Sequence, residues 1–148
     1  MRLPSRWVFV VALLVAVHPV LADDRKDQDE LQGTWEATAM IADGKPYADK
    51  GKGTTLAIMG NKITLVASEG KVKRNFTFTL NSSKTPKTID AVAQDGAAEG
   101  KTIRGIYEIK KDTLTWCMSR ETDGKRPTDL APKLGDNTMI LKAKRVKP

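Results

Sequence analysis

Histidine, cysteine and paired carboxylates are the side chains that most often carry chemistry near neutral pH, and this chain is poor in the first two. His18 is its only histidine and Cys117 its only cysteine. His18 falls in an N-terminal stretch that reads as a removable leader, so the processed chain would hold no imidazole. A Ser-His-Asp or Cys-His relay uses that ring as its proton carrier. A zinc site needs several thiolate or imidazole ligands. No GxxxxGK[ST] loop and no GxGxxG turn is present to cradle a phosphate. A pair of carboxylates of the glycosidase kind remains. The acids on extended segments are Glu36, Asp90 and Glu108. Glu36 alternates against Trp35, and Glu108 against Tyr107, which turns both toward water. Asp43, Asp112 and Asp123 sit in turn sequences, where aspartate serves turn geometry. The expectation is a protein that is not an enzyme and holds no cofactor or metal. A carboxylate-dependent hydrolase is the remotest alternative.

Two further side chains have a chemical reading beside a plain one. Cys117 lies between Trp116 and Met118 on an extended segment; it is a small buried hydrophobe or a reactive thiol. Arg126 stands in the longest irregular stretch, Arg120 to Asn137, which is the best candidate for a lid or binding loop. Its guanidinium is an anion-binding group or one half of a structural ion pair. Asn75-Phe76-Thr77 and Asn81-Ser82-Ser83 match the glycosylation sequon.

The N-terminus predicts export. Arg2 and Arg6 flank the start of an apolar run of 11 residues, Trp7 to Val17, followed by Pro19 and Val20-Leu21-Ala22. Charge, apolar stretch and small-residue exit, in that order, describe a signal peptide over residues 1–22. The run is shorter than the roughly 18–20 residues a membrane span needs. The competing reading is an uncleaved anchor. The chain carries +7; the leader holds two arginines and no acid, which leaves +5 after cleavage. Export and the scatter of the basic residues argue against nucleic acid as a partner. Acidic polysaccharide, anionic lipid or plain solubility fit the charge better. A single cysteine forbids an internal disulfide, so the fold must be held by its core.

Residues 23–30 form a polar segment, either a short helical turn or a loose strand of chain. From there on, residues 31–148 read as one domain. Apolar side chains recur at every second position in eight segments: Thr34–Ile41, Thr54–Met59, Lys62–Ala67, Lys71–Leu80, Lys87–Ala93, Lys101–Ile109, Thr113–Ser119 and Thr138–Val146. This period marks half-buried strands. Gly60-Asn61 is a two-residue hairpin signal. Short connections favour an antiparallel meander. The predicted fold is all-β, an eight-stranded antiparallel up-and-down barrel, with an open two-sheet sandwich as the alternative. Trp35, Ile41, Leu56, Ile58, Ile63, Leu65, Phe76, Phe78, Ile103, Tyr107, Trp116 and Leu141 are expected to point inward. They fill the barrel or line a cavity. With aromatic residues at 5% of the chain, a large ring-walled pocket is not expected.

Gly33-Thr34-Trp35 resembles the Gly-x-Trp motif that opens the lipocalin barrel. The resemblance implies that Gly33 and Trp35 close one end, with Trp35 packed under a basic residue of the last strand, Lys142, Lys144 or Arg145. A broader similarity runs from Leu31 to Lys144. Leu31-Gln32-Gly33-Thr34-Trp35, Asp43-Gly44-Lys45-Pro46, Pro86-Lys87-Thr88-Ile89-Asp90, Gly105-Ile106-Tyr107-Glu108-Ile109, Asp112-Thr113-Leu114, Cys117 and Arg126-Pro127-Thr128 together resemble a lipocalin-like domain family of unknown function, expanded in planctomycete bacteria. It implies a barrel and an exported, periplasmic or extracellular, protein. The functional expectation is binding of a small apolar or amphipathic molecule, with Trp35, Phe76, Phe78, Tyr107, Trp116 and Arg126 as candidate ligand contacts. The alternative is an envelope or protein-interaction module that uses the basic surface.

Overall fold

The computed structural model describes residues 20–47, 53–67, 70–131 and 133–148. Nearly all of the expected signal peptide lies outside the described residues. Helix α1 (Val20–Leu31) leads into strands β1 (Gly33–Ala42), β2 (Lys45–Pro46), β3 (Thr55–Met59), β4 (Lys62–Ala67) and β5 (Val72–Asn81). Strands β6 (Thr88–Ala93), β7 (Thr102–Lys110), β8 (Thr113–Ser119) and β9 (Thr138–Arg145) complete the chain. From β3 to β9 each strand pairs antiparallel with the next, and β1 pairs with β3 on one edge and β9 on the other. Two partners for β1 close the sheet, so this is an eight-stranded antiparallel barrel of lipocalin-like architecture and not an open sandwich. Closure leaves no long unpaired edge. The two-residue β2 is an addition to the eight predicted strands; it pairs with the far end of β1.

Alternation places the inner core. Trp35, Leu56, Ile58, Ile63, Phe78, Ile89, Tyr107, Leu114, Trp116 and Leu141 form one buried cluster inside the barrel. The faces follow sequence parity except in β1. There Ala37 pairs with Ala143 and Ala39 with Lys142, which leaves Thr38 as an extra residue. A bulge of this kind moves every later side chain to the other face. Met40 therefore packs against the inner cluster, while Ile41, expected inside, packs outside against Ile106, Cys117 and Ile140.

Those three residues form a second, smaller core on the outer wall of β7, β8 and β9. Leu130 covers it, so residues 120–131 of the irregular segment run along the outside of the barrel. Arg104 holds this strap by donating through Nη1 to the carbonyls of Asp123 (2.8 Å) and Gly124 (3.0 Å). At its start Arg120 pairs with Asp43 at 2.6 Å.

Candidate functional site

The polar segment before the barrel forms α1, and it closes one end. Leu31 is buried in the inner core. The Trp35 indole N–H donates to the Leu31 carbonyl at 2.8 Å. Arg145 lies over the Trp35 ring, its guanidinium carbon 4.3 Å from the ring centre. Its Nη1 donates to the Gln32 carbonyl at 2.6 Å and its Nη2 to the Glu30 carbonyl. One cation thus stacks on an aromatic face and neutralises the exposed carbonyls at a helix C-terminus. Of the three basic residues expected there, Lys142 and Lys144 point to solvent by alternation. Gly33, at φ +114, would bring a Cβ to 3.3 Å from Arg145 Nη1, which is why glycine suits that position. Gln32 clamps the β3–β4 hairpin to the same end, with its Oε1 accepting from the Gly60 N–H at 2.6 Å.

A buried carboxylate completes the seal. Asp27 is 5% exposed. Its Oδ2 accepts from the Tyr107 hydroxyl at 2.6 Å and from Lys87 Nζ at 2.7 Å. Burial, then the hydrogen bond to Asp27 and its charge, push the Tyr107 phenol far above its ordinary range. Tyr107 is held neutral, as a donor, and cannot serve as a base near neutrality. Asp24 Oδ1 accepts from the Ser82 backbone N–H at 2.6 Å, which fixes the other half of the helix. Sequence reasoning missed Asp27 and Lys87. An aspartate in a polar run gives no sign that it will be buried, because its partners come from β7 and the chain before β6.

The opposite end is different. Met40, Phe76 and Met118 are only partly buried against the inner core. Leu65, Ile103 and Met139 share their face by alternation and are likewise half-buried. Deeper in, Trp116 is 3% exposed and its indole Nε1 has no hydrogen-bond partner among the described residues. It lies against Gly105, where a Cβ would come within 2.6 Å of Nε1. An unpaired buried N–H costs about 1–3 kcal/mol.

The candidate ligand residues therefore separate. Trp35 and Tyr107 belong to the sealed end. Phe78 and Trp116 lie in the inner core, and Phe76 is at the half-buried end. Arg126 is elsewhere, on the outer wall; its Nη1 donates to the Gly105 carbonyl at 2.8 Å and sits 2.7 Å from Asp90 Oδ1. The strand acids do not converge: Asp90 pairs with Arg126, Glu108 with Lys110 at 3.1 Å, and Glu36 is exposed on β1. Cys117 is buried on the outer wall, and burial raises its thiol to about 11, so the thiol stays protonated at neutral pH. No protein-family model, curated protein or solved structure matches this chain.

Proposed function

We propose that this is an exported lipocalin-like barrel that holds a small apolar or amphipathic molecule at its half-buried end, without catalysing a reaction on it. The observation that carries the reading is the asymmetry of the barrel. One end is sealed by α1, Trp35, Arg145 and Asp27, whereas the other presents Met40, Phe76 and Met118 only partly covered. Methionine and aromatic side chains adapt to apolar ligands of varied shape. The unpaired Trp116 N–H gives such a ligand an acceptor-seeking donor at the floor. Export is supported by the leader-like residues 1–22, and the lipocalin-like family by the ordered motifs from Leu31 to Lys144.

The test uses the methionine methyl groups of the full chain. An apolar probe such as decanol should shift Met40, Met118 and Met139 saturably. Met59, 81% exposed on the β3–β4 hairpin at the sealed end, should not move. A response at Met59 alone, or no saturable response, would sink the reading. The exposed Lys142 and Lys144 on the outer face of β9 favour one second reading, a charge-driven contact with an envelope component. Capture from envelope fractions should then weaken as salt rises.

A further inference from the structure

A second depression lies on the outer wall, outside the barrel's interior and beside the loop that α1 holds through Asp24 and Asp27. It is bounded by the outward faces of β5, β6 and β7, by the loop through Lys84 to Pro86, and by the strap at Arg126 and Pro127. Its volume is about 690 Å³, within the roughly 300–1,000 Å³ of small-molecule sites. Pro86, half-buried, supplies apolar surface over a floor of the buried Ile106 and Pro127, and Lys84, Asp90 and Arg126 supply charge. Two cations face one carboxylate, so the groove carries a net +1.

The surplus is sited on Arg126. Its Nη1 donates to the Gly105 carbonyl at 2.8 Å and to the Ile89 carbonyl at 3.5 Å, and lies 2.7 Å from Asp90 Oδ1. Among the described residues, Nη2 and Nε donate no hydrogen bond. A guanidinium offers two edges, and one edge here remains for a ligand carboxylate in the fork geometry that arginine prefers. Its position is fixed by Gly105 and Asp90, so little side-chain freedom is lost on binding. Lys84 carries no ion pair among the described residues and adds a second, mobile cation.

We infer that this groove binds a small amphipathic monoanion, its carboxylate on the free edge of Arg126 and its apolar tail along Pro86. The site is distinct from the barrel end proposed above, because its strand residues point the opposite way from Phe78, Ile89 and Tyr107. Nuclear magnetic resonance of the full chain, with octanoate and octanol as paired probes, separates the two. Octanoate should give saturable shifts at the Thr88, Ile106 and Thr128 amides, and octanol should bind there about tenfold more weakly. Arg126→Gln should erase that preference. Lys84→Gln, a change at an exposed side chain with no structural partner, should weaken octanoate a few-fold and leave octanol unaffected. Asp90→Asn should strengthen octanoate by removing the competing carboxylate. Equal binding of the two probes, no effect of Lys84→Gln and Arg126→Gln, or shifts confined to Met118 and Phe76 would each overturn the inference. The last outcome would leave the barrel-end reading standing.

Discussion

The two ends of the barrel are built from the same strands yet differ in how their last side chains are covered. At one end the inward positions meet a helix. Leu31 fills the gap, Trp35 is 0% exposed, and Arg145, Asp27 and Gln32 join α1 to β9, β7 and the β3–β4 hairpin. At the other end the inward positions are Met40, Leu65, Phe76, Ile103, Met118 and Met139, all half-buried. Stability therefore concentrates at the sealed end and adaptability at the other. An eight-stranded barrel encloses room for its own side chains or for one small ligand.

Substitutions can break that comparison, and the largest effect is expected at Trp35. Trp35→Ala removes a fully buried indole, its bond to Leu31 and the ring under Arg145; it should cost about 4 kcal/mol in urea unfolding. Asp27→Ala should cost about 2–3 kcal/mol, because it strips the Tyr107 hydroxyl of its buried acceptor. The same contact has a pH signature. Tyr107's phenol is raised in the folded state, so its contribution is complete below pH of about 10, the ordinary tyrosine value, and falls as pH climbs beyond it. Tyr107→Phe should flatten that alkaline loss. Arg145→Gln should cost about 1–2 kcal/mol through the lost stacking and the uncapped helix carbonyls. Met118→Ala, at the half-buried end, should cost about 1 kcal/mol or less. Were it to match Trp35→Ala in the same measurement, the two ends would be energetically alike and the comparison would fail.

Much of this barrel was legible in the sequence because period-two alternation is a local signal. β4 (Lys62–Ala67) and β8 (Thr113–Ser119) begin and end where the apolar pattern places them. Gly33-Thr34-Trp35 located the sealed end, and Arg145 was among the three basic residues expected over Trp35. The misses have a common cause. Whether Thr38 is an extra residue depends on β9, which lies at the far end of the chain, so the inversion of Ile41 could not be read from β1 alone. Asp27 is buried only because Tyr107 and Lys87 meet it. The segment 120–137 reads as irregular from its sequence, but that sequence does not say which wall it covers. Arg126 reads from the sequence as an anion-binding group or one half of an ion pair, and the structure pairs it with Asp90 at 2.7 Å.

The ring closes between β1 and β9, and Trp35 finds its cation only in Arg145. A nascent chain emerging with its amino end first cannot complete this cylinder until β9 has cleared whatever holds it. Seven strands would wait with an unzipped seam, their greasy lining reachable by other molecules. Deleting the second half of β9 should accordingly harm assembly far more than an equal deletion in an exposed loop.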